Sequence, residues 1–161
     1  MKHNLEALVC TNTALRRAAR RLGNLYDDAL VPLGLKATQV GLLADIDRLT
    51  SANKGQSPTL QDLAAKLAIQ ISALTHALRP LVREGLVGLR QDELDKRTKR
   101  ASLTPVGQKR LHDALVYWAS ANERVERVLG ADSAALLRAL SDQVASDEFL
   151  AAYDLDQAGA A

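Results

Sequence analysis

Apolar and polar positions alternate along this chain with two different periods. Leu8, Leu15, Leu22 and Ala29 recur every seven residues, and Leu5, Ala18, Ala19, Leu25 and Tyr26 fill the same face. That spacing predicts one long amphipathic helix over 5–31. Arg16, Arg17, Arg20 and Arg21 occupy much of its remaining surface, and Pro32 and Gly34 end it. A helix of this length with its own apolar stripe often packs against a partner chain. Val40, Leu42, Leu43 and Ile46 place a second helix over 37–49, followed by the polar loop TSANKGQSP at 50–58. Thr59 offers an N-cap, with Asp62 three residues on, to a short helix LQDLAAKLA. From Ile71 to Glu84 a further helix gathers Ile71, Leu74, Leu78, Leu81 and Val82 on one side. Its other side carries Ser72, Ala73, His76, Arg79 and Arg83, Pro80 should bend it, and Gly85 stops it.

The period then changes to two. LVGLR (86–90) and RASLT (100–104) alternate apolar with polar residues around a charged stretch, the pattern of a β-hairpin. Thr104-Pro105 starts a long helix, Thr as N-cap and Pro at the first helical position, which runs to Leu129 before Gly130. Asp132 or Ser133 caps a last helix to about Tyr153. The expected fold class is mainly α: a winged helix-turn-helix with about six helices and a short β-hairpin wing.

Composition adds limits. At 161 residues one domain over 1–161 is the simplest organisation, and with 3% aromatic residues the core must rest on Leu, Ala and Val. The net charge of +2 divides unevenly: residues 1–130 carry 20 basic against 13 acidic side chains, residues 131–161 only 1 against 6. A basic body with an acidic end leaves one region attractive to polyanions. A single cysteine, Cys10, suits a reducing cytoplasm, and no apolar run is long enough for a membrane span.

Two short helices followed by a charged hairpin are the layout in which the second helix enters the DNA major groove. Short side chains at Ser72 and Ala73 let a backbone approach, while His76, Arg79 and Arg83 can reach phosphates or base edges. The hairpin's run Asp95-Lys96-Arg97-Thr98-Lys99-Arg100 can lie along the backbone or push an arginine into the minor groove. Asp95, two residues before Arg97, is close enough to hold its guanidinium. Against this stands the plainer reading, an amphipathic helix with a solvated face and a mobile charged loop.

DKRTKRASLTPVG is similar to the wing motif of the multiple-antibiotic-resistance regulator (MarR) family, at Asp95, Arg97, Thr98, Leu103, Thr104 and Gly107. LAAKLAIQISALTHALRPLVREGLV resembles that family's helix-turn-helix, and YDDALVPLGLKATQVGLLADI its first-to-second helix junction. The resemblance implies a homodimer joined through helices within 5–35 and 105–155, with a winged DNA-binding part at 37–104. It implies double-stranded DNA as partner, a palindromic operator, usually repression, and release by a small aromatic or phenolic effector between the dimer and DNA regions. Carried over by position, Arg97 enters the minor groove braced by Asp95, and Ser72, Thr75, His76 and Arg79 face the major groove. Gln70-Ile71 stand where close relatives carry Asp-Arg, and His76 where they carry Arg, so the site preference does not transfer.

Cys10 keeps two readings open. A peroxide-sensing branch of the family has a reactive cysteine in the first helix, at the position of Asn12 here, about 200° around the helix from Cys10. Arg16 and Arg17 could lower its pKa; the alternative is a buried, inert thiol. Enzymatic motifs, a phosphate loop and a metal-ligand cluster are not found, and His3, His76 and His112 are scattered, so neither a metal nor another cofactor is called for. Tyr117 and Trp118 read as packing residues. A helical interaction module without DNA binding is the remaining alternative.

Overall fold

The computed structural model describes residues 10–159, so the first turn expected for the long N-terminal helix lies outside the described residues. Its elements are α1 (Thr11–Leu30), α2 (Ala37–Ala52), α3 (Leu60–Lys66), α4 (Ile71–Arg83), β1 (Val87–Gln91), β2 (Lys99–Leu103), α5 (Pro105–Leu129), α6 (Ala131–Val144) and α7 (Asp147–Gly159). By compactness the chain forms two units, one ending at Ala121 and the other beginning at Asn122, inside α5.

In the first unit, α1 runs into a 3-10 turn at Val31–Leu33, and Gly34 leaves it with φ +63, a conformation glycine adopts without penalty. Asp27 of α1 reaches the start of α2: its Oδ1 accepts from the Ala37 N–H at 2.7 Å, and its Oδ2 lies 3.4 Å from Lys36 Nζ. The polar loop begins later than its composition suggested, because α2 continues through Ala52. Thr59 and Asp62 exchange side-chain and backbone hydrogen bonds at 2.9 and 3.0 Å, the reciprocal cap expected for α3. The turn into α4 places Ala68 at φ +51, which is costly for a residue with a Cβ.

Leu30, Leu43, Ile46, Leu63, Leu74, Leu78 and Leu81 are fully buried and form the centre of the core, with Leu111 and Ala114 of α5 packed into the same cluster. Of the apolar face predicted for α4, Leu74, Leu78 and Leu81 are buried, whereas Ile71 and Val82 remain exposed. Arg110 Nη1 donates to the Leu33 carbonyl at 2.8 Å, and the Trp118 ring packs 4.4 Å from that of Tyr26, tying α5 to α1 and its 3-10 turn.

The two strands pair antiparallel, from Val87 with Leu103 to Gln91 with Lys99. Thr104 caps α5 as its sequence position predicted: its Oγ1 accepts from the Gly107 N–H at 3.0 Å and donates to the Gly85 carbonyl at 2.6 Å. Gly107 packs against the Leu86 backbone so closely that a Cβ there would stand 2.0 Å from the Leu86 carbonyl oxygen.

In the second unit the single last helix expected to reach Tyr153 is two helices. Ser146 Oγ donates to the Gln143 carbonyl at 2.9 Å and accepts from the Phe149 N–H at 3.1 Å, ending α6 and capping α7. Asp147 and Glu148 follow in the first turn of α7, where acidic side chains complement the helix dipole. Seven α-helices thus stand among the described residues in place of six.

Candidate nucleic-acid interface

α4 presents Ser72, Ala73, His76, Arg79 and Arg83 on its exposed side, as the helical spacing predicted. Leu74, Leu78 and Leu81 hold the helix down by burial, and that burial turns the polar stripe outward. Among the described residues neither Arg79 nor Arg83 is paired with a carboxylate, so both cations stay available to an anion. Thr75 is only half-exposed, and its hydroxyl donates to the Ile71 carbonyl at 2.8 Å. Its proton serves the helix backbone, which leaves its oxygen able only to accept.

Between the first turns of α2 and the middle of α4 lies a cavity of about 470 Å3, lined by Lys36, Thr38 and Leu42 on one wall and His76, Pro80 and Arg83 on the other. No carboxylate lines it. Sequence reading did not connect Lys36 and Thr38 to α4, because some forty residues separate them along the chain.

The wing tip corrects one expectation. Asp95 does not hold the Arg97 guanidinium: its Oδ1 accepts the Arg97 backbone N–H at 3.0 Å and its Oδ2 accepts the Thr98 hydroxyl at 3.0 Å. A carboxylate two or three residues before a tight turn is favoured to cap backbone N–H groups, and this one does so. The side chains of Lys96, Arg97 and Lys99 are exposed, Thr98 half-exposed. Arg100, grouped with them by sequence, pairs with Asp92 instead. Asp92 was not singled out from the sequence, yet it is the buried charged residue of the wing and accepts the Leu94 and Asp95 N–H groups at 2.9 Å each. Its hydrogen bonds from Arg100 and then from those two N–H groups hold its carboxyl below the usual carboxylate range. Leu94, also unremarked in the sequence, projects from the tip with 98% of its surface exposed.

Cys10 is exposed at the start of α1, not buried. Its thiol pKa is lowered, by the backbone N–H groups of Thr13 and then Asn12 at the open end of the helix, where Arg16 and Arg17 had been the expected cause. No group of His, Cys, Asp and Glu among the described residues could hold a metal ion. No single helix among the described residues is long and apolar enough to cross a membrane.

An exposed basic helix face beside a hairpin with a cationic tip defines the class, a winged helix DNA-binding protein, and the winged helix DNA-binding domain family matches residues 35–107. The transcriptional regulator MosR of M. tuberculosis, solved in complex with DNA, is 34% identical, with 83% of this chain and 97% of that one covered and a TM-score of 0.66. The chain belongs to the MarR family of winged helix-turn-helix transcriptional regulators. A mutant of MarR from E. coli complexed with operator DNA shares the fold at 22% identity, covering 89% and 99% of the two chains with a TM-score of 0.75. CouR from Rhodococcus jostii bound to p-coumaroyl-CoA does so at 19% identity, covering 86% and 94%, with a TM-score of 0.70. No curated protein sequence matches the chain significantly.

Proposed function

We propose that this DNA-binding regulator acts as a homodimeric repressor in the reducing cytoplasm, binding a palindromic operator and leaving it when a small aromatic or phenolic ligand binds. The observation that carries the DNA-contact assignment is the pairing, within one compact unit, of the unpaired cations Arg79 and Arg83 on α4 with the exposed Arg97 on the wing. Ser72, Ala73 and His76 then read the major groove, Thr75 serves as an acceptor at its edge, and Lys96, Thr98 and Lys99 meet the backbone around Arg97.

Apolar exposure supports the dimer. In the second unit Leu136, Leu140, Leu150, Tyr153 and Leu155 are each half or more exposed, and Ala134 is the buried apolar residue of α6. Exposed apolar side chains in that number on so small a unit favour a partner surface that covers them. The exposed Leu25 of α1 and Val31 of the 3-10 turn extend the same case to the first unit. An effector of the aromatic class is supported by the bound p-coumaroyl-CoA of CouR.

Selection from a random duplex pool by the purified protein tests this function. Inverted half-sites one helical turn apart are expected, with affinity that falls steeply as salt rises. Recovery of no preferred sequence would overturn the operator, and a parental affinity for Arg97→Ala would overturn the wing assignment. Repeating the measurement with phenolic acids tests release.

The exposed thiol of Cys10, its pKa lowered by the backbone N–H groups of Thr13 and then Asn12, favours a second reading, oxidant-driven release of DNA. Cys10→Ser should then abolish any loss of DNA binding on peroxide treatment; an unchanged response would remove the redox role.

A further inference from the structure

Sequence position gives Arg100 the same standing as its neighbours in the basic run of the wing. Its surroundings do not. Its side chain is 23% exposed and turned inward, where Nε donates to Oδ2 of Asp92, itself with a side chain only 10% exposed. Nη1 donates to the Ser57 carbonyl at 2.6 Å, across 43 residues of sequence. The backbone follows the same path: Thr59 forms a bridge with Arg100, and the Ala101 N–H donates to the Pro58 carbonyl at 3.0 Å. Asp92 also takes the Leu94 and Asp95 N–H groups, and Asp95 takes the Arg97 N–H. An unbroken series of hydrogen bonds therefore runs from the segment preceding α3, through Arg100 and Asp92, to the backbone of Arg97.

We infer that Arg100 is a positioning residue: with Asp92 it latches the wing to the segment before α3 and so sets where Arg97 stands relative to α4. The register favours the latch, because Arg90 and Arg100 are directly opposed across the hairpin, and two cations in that relation repel. Asp92 draws one of them away. Ser57 and Pro58 lead directly into Thr59, the cap of α3, and α3 packs on α4, so the latch joins the wing to the helix pair.

This rests on Arg97 as the groove probe, and the test separates the two ideas. Affinity for a duplex selected by the parent protein is measured across a range of salt, with urea unfolding of each variant in parallel. Arg97→Ala should weaken binding roughly tenfold and lower the salt slope by about one. Arg100→Lys keeps the charge but cannot span Asp92 and Ser57 together, so affinity should fall while the slope is unchanged. Asp92→Asn is the sharpest arm. It removes an anion from beside a polyanion, and electrostatics alone would tighten binding; the latch requires weaker binding. With Arg97→Ala already present, Asp92→Asn should cost little more, because the probe it positions is gone. Parental or tighter binding by Asp92→Asn, or a salt slope lowered by one in Arg100→Ala, would overturn the latch and return Arg100 to the phosphate contacts. Parental affinity for Arg97→Ala would remove the wing reading and the latch with it.

Discussion

Gly107→Ala isolates a single steric contact. The added Cβ would stand 2.0 Å from the Leu86 carbonyl oxygen, and real Cβ contacts essentially never fall below 3.0 Å, so the two segments must part by at least 1.0 Å. The carbonyl cannot easily yield. It accepts the Thr104 N–H at 3.1 Å, and the Leu86 N–H is fixed to the Leu81 carbonyl at 2.8 Å. Leu86 itself is 2% exposed. Overpacking of this kind costs about 1–3 kcal/mol, and losing the Thr104–Leu86 bond adds roughly 1 kcal/mol. Alanine's better helix propensity returns about 1 kcal/mol, leaving a net destabilisation of about 1–3 kcal/mol. For a chain of this length that lowers Tm by roughly 2–12 °C. Thermal unfolding at one fixed protein concentration measures it, with Gly41→Ala as control, since a Cβ at Gly41 meets nothing within 4 Å. Parental Tm for Gly107→Ala would refute the reasoning, as would an equal loss in Gly41→Ala.

Three further outcomes follow from local geometry. Thr59→Ala removes half of a reciprocal cap and should cost about 1 kcal/mol in urea unfolding, with Thr59→Ser restoring most of it. Ala68→Gly should stabilise by about 0.5–1 kcal/mol, because the left-handed conformation there costs an alanine more than a glycine loses in chain entropy. Asp92, Asp113 and Glu126 all have carboxyl pKa values held below their ordinary 3.8, 3.8 and 4.5, chiefly by hydrogen bonds from Arg100, Lys109 and Arg138 respectively. Between the ordinary and lowered values the unfolded chain binds more protons, so their stabilisation is complete above the ordinary values and is lost as pH falls through the lowered ones. Urea midpoints followed downward from pH 5 should fall, and less steeply in Asp92→Asn than in the parent.

What the sequence made legible is what short separations determine. Thr59 with Asp62, and Thr104 with Pro105 and Gly107, work over three residues, so their caps could be read directly. The outward stripe on α4 followed from periodicity alone. The wing was harder, because a carboxylate among basic residues has several partners within reach: Asp95 took backbone N–H groups, while Asp92, passed over, took the guanidinium. The reach of Arg100 to Ser57 has no local trace, since the two meet only after the hairpin has folded back on the segment before α3. At the other end, Ser146 broke an expected helix because one hydroxyl can both end a helix and start the next, a signal outweighed in the periodicity by the apolar residues on either side.

The carboxylate of Asp27 bears on which anions this fold can hold. The N-terminal end of a helix is a natural seat for a phosphate, and at α2 that seat is taken by the protein's own anion, donated from α1. Any stretch of duplex can offer a phosphate to a vacant helix end, whatever its sequence. At α2 that general attachment point is answered internally, by a carboxylate held in place from the preceding helix. An anion arriving at that end would meet the Asp27 carboxylate before it met the helix.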